Sequence, residues 1–207
     1  MAIIRGLILD YGEVLCHRPT PEQWQRLYRA AGLDEATFVT RYFQERLPYD
    51  RGDLQPSEYW SKVAGPAVLD DGMLDTLSQW DVEMWSALNP NMTDWLLELR
   101  GAGLKTGLLS NMPFDMARHA RRSFDWLRQL DSVVLSCELR LIKPDRAIYE
   151  RSLEALGLQP SEACFIDDRD VNVEGARAVG IHALHFHTID RLREDLAALG
   201  IPVLPRA

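Results

Sequence analysis

Five short apolar runs constrain this chain more than any other feature. They are "GLILD" (6–10), "LKTGLLS" (104–110), "SVVLS" (132–136), "ACFIDD" (163–168) and "IHALHF" (181–186). Each run is continuous rather than alternating. A strand that is apolar on both faces belongs in a parallel sheet covered by helices on both sides. The intervening segments supply such helices. Met92, Trp95, Leu96 and Leu99 fall on one helical face, as do Ile148, Ser152, Ala155 and Leu156, and then Ile189, Leu192, Leu196 and Leu199. Strand and helix alternate over residues 90–200. That pattern reads as βαβ units and predicts an α/β fold with a doubly wound, parallel, Rossmann-like sheet.

The first strand breaks the rhythm, because the second follows almost ninety residues later. The region between reads as helical throughout. Trp24, Leu27, Tyr28 and Ala31 share a helical face, Phe38 and Tyr42 continue it, and "RGDLQPSEYW" reads as a turn followed by a helix capped by Ser57. Four of the six tryptophans lie here: Trp24, Trp60, Trp80 and Trp85. Their plainest reading is helix-bundle core; the sharper alternative is that one or two face a substrate cleft. The proline-punctuated stretches "HRPTP" (17–21) and "LNPN" (88–91) read as linkers. The expected organisation is an α/β core formed by residues 1–17 and 89–207, with a helical cap over 18–88.

At 207 residues the chain suits one compact α/β domain, or a core domain carrying a smaller insert. Its net charge of −8, from 31 acidic and 23 basic residues, argues against a phosphate backbone as partner, so no nucleic acid is expected. Met1 to Leu9 holds too short an apolar run for a signal peptide or a spanning helix, so no membrane partner is expected either. Three separated cysteines, Cys16, Cys137 and Cys164, form no CxxC pair and fit a reducing compartment. A cytoplasmic location follows as an expectation.

In open parallel sheets, ligands bind at the carboxyl ends of the strands. Asp10 follows the first strand, Ser110 and Asn111 the second, and Asp167 and Asp168 the fourth. Lys143 stands in the loop "LIKPD", where Pro144 is expected to begin a helix. Singly, each residue also reads as a cap, a turn or a solvated charge. Together, three carboxylates, a hydroxyl and an ammonium converge on one sheet edge. Neighbouring acids repel unless a cation lies between them, and an oxygen-only donor set suits Mg²⁺. No GxGxxG or GxxxxGK[ST] motif occurs, and His185 and His187 lack a third ligand nearby in sequence.

The order of these pieces resembles the haloacid dehalogenase superfamily. The resemblance rests on "LILDYGEVL", "LLSNMP", "IKPDRAIYE" and "CFIDDRDVNVEGARAVG", and spans essentially the whole chain, helical cap included. Within the superfamily the chain is similar to bacterial small-molecule phosphatases, among them those acting on glucose 1-phosphate, which also carry Gly at the second-Asp position. The resemblance implies a Mg²⁺-dependent hydrolase of a small phosphate ester. Asp10 would be the nucleophile and form an aspartyl-phosphate. Asp10, the Gly12 carbonyl and Asp168 would hold the metal, supported by Asp167 and Asn172. Ser110 and Asn111 would bind the phosphoryl group, and Lys143 would keep Asp10 ionised and balance the phosphate.

One position departs from the pattern. Where most phosphatases of the superfamily carry the second Asp of D-x-D, this chain has Gly12. Gly12 keeps a carbonyl oxygen but supplies no acid, which predicts slower turnover or a preference for leaving groups that need little protonation. Two alternatives compete. A hydrolytic dehalogenase also lacks the second Asp and uses "SN" and "KP…Y", but its tyrosine stands two places after the nucleophile, whereas Tyr11 stands one place after. A non-catalytic binding or regulatory relative would have lost its acid at Gly12.

Overall fold

The structure, a computed structural model, describes residues 3–67 and 69–201. Strand β1 is Gly6–Leu9. Five helices follow it: α1 (Pro21–Ala30), α2 (Glu35–Gln44), α3 (Arg46–Asp50), α4 (Pro56–Ala64) and α5 (Asp71–Met84). Then come α6 (Pro90–Gly101), β2 (Lys105–Ser110), α7 (Phe114–Ser123), β3 (Ser132–Leu135), α8 (Ser136–Leu139) and α9 (Arg146–Leu156). The chain continues through β4 (Ala163–Asp167), α10 (Asp170–Ala178), β5 (His182–His185) and α11 (Ile189–Ala198). All five strands pair in parallel, in the order β3-β2-β1-β4-β5.

The apolar runs explain the layers. Successive strand residues face opposite sides. Leu7 and Leu9 enter one buried cluster with Trp95, Leu96, Met116 and Leu196, while Ile8 enters the other with Leu109, Ile148, Leu153 and Val173. Both faces are therefore covered, and no strand in the centre can afford a polar side. Where the central strand runs out, the order of connection reverses: β2 and β3 lie to one side of β1, β4 and β5 to the other.

Helices α1 to α5 carry a third cluster of their own, built on Leu27, Phe38, Tyr42, Tyr59, Trp60, Val63 and Leu77. The chain leaves the sheet and returns through one narrow neck. There Cys16 and Leu88 form an isolated antiparallel bridge, His17 N–H donates to Ala87 O at 2.7 Å, and Asn89 N–H donates to Leu15 O at 2.9 Å. Trp60 is core, Trp80 lies beneath the Arg26 guanidinium at 3.6 Å, and Trp24 and Trp85 line a cleft.

Three local expectations are corrected. Ser57 is not the cap of α4: Pro56 already occupies the first helical turn, Gln55 is the N-cap residue, and the Glu58 carboxylate accepts the Gln55 N–H at 2.7 Å. Pro144 does not begin α9; Asp145 is its N-cap and Arg146 its first residue. Ala155 is exposed, and α9 packs instead through Ile148, Tyr149, Ser152, Leu153 and Leu156. The three cysteines are free and buried. Among the described residues no helix is long and apolar enough to cross a membrane.

Candidate active site

The parallel register brings the key acids together. β1 and β4 pair Leu9 with Ile166, so Asp10 and Asp167 emerge side by side at the carboxyl edge. Asp10 N–H donates to Ile166 O at 2.9 Å, which extends the ladder to the acid itself. After Asp10 the chain turns instead of continuing as strand: Leu15 and Cys16 both donate N–H to Tyr11 O, and Glu13 takes a left-handed φ of 54°.

Lys143 reaches this edge from the loop beyond α8 and is 1% exposed. Its ammonium donates to Asp10 Oδ1 at 2.6 Å, to Asp167 Oδ2 at 2.6 Å and to Leu109 O at 3.0 Å. Its three protons are thus all committed. Burial works to lower the Lys143 pKa, but the carboxylates of Asp10 and Asp167 overrule it and the net direction is upward. The cation between the acidic pair, as far as Asp167 is concerned, is this lysine.

Asp167 is fully enclosed. Besides Lys143 it accepts from Asn172 Nδ2 at 3.0 and 3.1 Å and from Arg169 N–H at 2.9 Å. Asn172 sits in α10, whose own N-cap residue, Arg169, makes no side-chain cap bond. Asp167 thus both starts that helix and holds the lysine. Asp168 differs: its carboxylate makes no hydrogen bond or ion pair within the described residues. Its backbone oxygen meets His185 Nε2 at 2.8 Å, and His185 Nδ1 lies 2.6 Å from Asp170 Oδ1. His187 lies against His185 from beyond the end of β5, with ring centroids 3.9 Å apart and the rings tilted by 40°.

Asp10, Asp167 and Asp168 can each direct one oxygen to within 4.8 Å of the others. Three carboxylates face one ammonium, which leaves an excess of two negative charges. Desolvation raises the Asp10 carboxyl to about 6, with Lys143 opposing. Desolvation also raises Asp168 to about 7, helped by the charges of Asp10 and Asp167. The donor set is all oxygen, partly buried and short of positive charge, which fits a hard divalent cation such as Mg²⁺.

The remaining predicted residues lie in the same cleft. Ser110 is 2% exposed at the end of β2, beside Asn111. Asn111 also makes a contact that no local pattern signals. Its side-chain Nδ2 donates to Lys143 O at 3.0 Å and its Oδ1 accepts the Lys143 N–H at 2.8 Å, a two-point clamp on the lysine's own backbone. Gly175 adds a second constraint on that loop. A Cβ there would lie 2.8 Å from Pro144 Cβ and 2.9 Å from Pro144 O. At Gly12, by contrast, a Cβ would meet only Asp10 Oδ2, at 3.6 Å.

The cleft, about 610 Å³, continues up to the helical segment. Trp24, Phe43 and Trp85 give it an aromatic wall. Beside that wall, lining the cleft through Tyr42, Arg46 and Asp50, lies a buried ionic group that periodicity did not reveal. The Arg46 guanidinium pairs with Asp50 Oδ1 at 2.8 Å and Asp81 Oδ2 at 3.0 Å, and donates to the Tyr42 hydroxyl at 2.6 Å. The i,i+4 spacing of Arg46 and Asp50 was the one sequence signal for it. Arg18 and Arg169 also line the cleft, Arg18 paired with Glu13 at 2.7 Å, whereas Arg140 is exposed outside its lining.

A parallel sheet with a buried, lysine-held aspartate on its central strand and two more acids beside it defines a class: α/β enzymes that use a carboxylate at the topological switch point. Residues 4–180 match the haloacid dehalogenase-like hydrolase family, and the chain belongs to it. Phosphatase MT3486 of Mycobacterium tuberculosis is 32% identical over 154 residues, covering 72% of this chain and 71% of that protein. (S)-2-haloacid dehalogenase 1 of a Pseudomonas species is 30% identical over 105 residues, 51% of this chain and 46% of the relative. Mouse acyl-CoA dehydrogenase family member 10 is 37% identical over 117 residues, of which the chain spans 11% of the length. The chain therefore covers less than half of these last two relatives. Among solved structures, a HAD-like hydrolase of Porphyromonas gingivalis superposes with a TM-score of 0.76 at 22% identity, covering 96% of this chain and 98% of the other. A Bacteroides thetaiotaomicron HAD family enzyme, in complex with magnesium and inorganic phosphate, gives 0.70 at 22% identity, covering 89% and 94%. These last two likenesses concern the fold.

Proposed function

We propose that this hydrolase is a Mg²⁺-dependent phosphate monoesterase acting on a small phosphorylated metabolite, with Asp10 as nucleophile. The observation that carries the reading is the charge count: three carboxylates converge, one ammonium pairs with two of them, and among the described residues the Asp168 carboxylate makes no hydrogen bond or ion pair. A dehalogenase that works without a metal would have to keep that excess charge uncompensated.

Asp10, the Gly12 carbonyl and Asp168 would hold the ion, with Asp167 and Asn172 fixing the surrounding frame. Mg²⁺ when bound supplies charge neutralisation for the transferring phosphoryl group. The protein's own residues account for the rest. Lys143 holds one Asp10 oxygen and keeps the carboxylate ionised for attack on phosphorus. Ser110 and the Asn111 N–H stand beside it to receive phosphoryl oxygens, and Asn111 keeps Lys143 in place. The segment formed by α1 to α5 acts as a cap, closing the cleft and presenting Trp24, Phe43 and Trp85 to the leaving group. The relative named as a phosphatase supports this reading. Sugar phosphates are the first substrate class to test, because an anomeric leaving group demands little of the missing Gly12 acid.

The second reading, a hydrolytic dehalogenase, is favoured by Ser110, Asn111 and Lys143 and by the relative of that name. Phosphate release from a panel of esters, with and without EDTA, and halide release from 2-haloacids separate the two. Mg²⁺-dependent phosphate release that Asp10→Asn abolishes supports the phosphatase. EDTA-insensitive halide release without phosphatase activity refutes it, and unchanged hydrolysis in Asp10→Asn assigns the activity elsewhere.

A further inference from the structure

Hydrolysis of an unactivated ester needs a proton for the departing oxygen, and Gly12 has no side chain to give one. The other proton carriers lining the cleft can be taken in turn. Glu13 pairs through Oε2 with Arg18 Nε at 2.8 Å and Nη2 at 2.7 Å. Its side chain is 27% exposed against 8% for that of Asp50, so solvent takes the place of the burial that would hold a proton on it. The Tyr11 hydroxyl donates to Trp85 O at 2.6 Å, and the Tyr42 hydroxyl to Asp81 Oδ1 at 2.6 Å. Glu35 stands exposed in the first turn of α2. Asp168 belongs to the cation-binding set. Asp50 remains.

Asp50 ends α3 and lines the same cleft as Asp10, Ser110 and Asp168. Its backbone is fastened to the core. The Ser136 hydroxyl donates to Asp50 O and accepts the N–H of Met112, two residues beyond Ser110. Two residues on, Gly52 has a φ of 83°, and a Cβ there would lie 2.8 Å from the Phe114 ring and 3.0 Å from Cys137 O. The contact is too tight for the end of α3 to drift. Arg46 pairs with Asp50 Oδ1 at 2.8 Å, and Oδ2 makes no hydrogen bond or ion pair among the described residues. That guanidinium serves both Asp50 and Asp81, so one positive charge faces two buried carboxylates. Such a pair retains a proton more readily than a single paired acid.

Resting on the phosphatase reading, we propose that Asp50 is the general acid that replaces the missing side chain at position 12. As Asp10 attacks phosphorus, the phosphorus–oxygen bond to the leaving group breaks. Its electron pair stays on the departing oxygen, which takes the Asp50 proton and leaves as an alcohol. Asp50, now a carboxylate, accepts a proton from the water that attacks the aspartyl-phosphate. Inorganic phosphate departs, and Asp10 and protonated Asp50 are regenerated. Burial raises the Asp50 carboxyl to about 6 against the opposing charge of Arg46, with Asp81 raising it further and Arg169 lowering it. Tyr42, Tyr49, Tyr59 and Cys137 are further titratable groups of this seam.

The test compares wild type, Asp50→Asn and Asp50→Asn/Gly12→Asp on 4-nitrophenyl phosphate and on a simple alkyl phosphate, with Mg²⁺. Asp50→Asn is expected to lose roughly 10²–10⁴-fold on the alkyl ester and at most about tenfold on the aryl ester, whose leaving group needs little protonation. Activity retained on the aryl ester shows the variant folded. Gly12→Asp, which has room for its Cβ, is expected to restore the alkyl rate. In wild type, the ratio of alkyl to aryl rates should fall as pH rises through about 6, and this measurement stands even if the variant fails to fold. Equal losses on both esters in a folded variant, or a wild-type ratio that does not change with pH, overturn the role of Asp50. A wild type inactive on every ester overturns the phosphatase reading itself, and this inference with it.

Discussion

Replacing Lys143 with Met tests the electrostatic frame most severely. Met keeps the side chain's length and removes its charge. The ammonium makes two 2.6 Å ion pairs in a site where Lys143 is 1% exposed, Asp167 0% and Asp10 7%. Removing one partner of a buried pair costs about 3–5 kcal/mol, because the other charge is left without compensation. Here two carboxylates are left, so the upper part of that range is expected at pH 8. For a chain of this size each kcal/mol moves the melting temperature by roughly 2–4 °C, giving a fall of about 10–20 °C. Protonation limits the loss. Asp10 already titrates near 6 with the lysine present, so by pH 5 it can shed its charge and the penalty shrinks. On the proposed function, Mg²⁺ should compensate by another route: at 100 times its dissociation constant it would return about 2.7 kcal/mol. The assay is thermal unfolding of wild type and Lys143→Met at pH 5 and pH 8, with and without Mg²⁺. A variant within about 1 kcal/mol of wild type at pH 8, or equally destabilised at both pH values, would refute the reasoning.

Two further predictions follow from the same geometry. Asp10 and Asp50 are raised to about 6 and Asp168 to about 7, so folding takes up protons between about pH 4 and 7; metal-free protein should lose stability as pH rises through that window, and Mg²⁺ should bind more weakly as pH falls through it, both readable from melting temperatures in a pH and Mg²⁺ grid. Gly175→Ala forces a methyl group against Pro144 and the Tyr149 hydroxyl, each at 2.9 Å or less; it should cost about 1–3 kcal/mol in denaturant unfolding and, by shifting Lys143, lower kcat more than it raises KM.

The sheet was legible because its inner strands had to be apolar on both faces, as the wholly buried β1 and β4 are, which leaves a mark that five residues suffice to carry. The strand-end acids were legible for a related reason: Asp10 and Asp167 interrupt such runs where a core strand tolerates no charge. The errors were local. Ser57 looked like a helix start because it is a common cap, yet Pro56 before it already fixes the first turn. Ala155 looked buried because it is apolar, yet Leu153 and Tyr149 fill that side of α9. What could not be read were contacts between residues far apart in the chain. Asn111 and Lys143 are separated by 32 positions and Arg46 and Asp81 by 35. No local spacing records such a pair, and a charged residue in isolation reads as solvated.

The most direct test of the central claim follows the fate of Asp10 in a single turnover in ¹⁸O-water with Mg²⁺ and 4-nitrophenyl phosphate. The reaction is stopped in acid and the peptide containing Asp10 is analysed by mass spectrometry. An aspartyl-phosphate opened by attack on phosphorus predicts a peptide carrying one phosphoryl group early in the turnover. Afterwards the isotope should lie in the released phosphate and not in the Asp10 carboxylate. Phosphate released with no phosphorylated Asp10 peptide at any time, or ¹⁸O incorporated into Asp10 as an ester opened at its acyl carbon would require, would contradict the account.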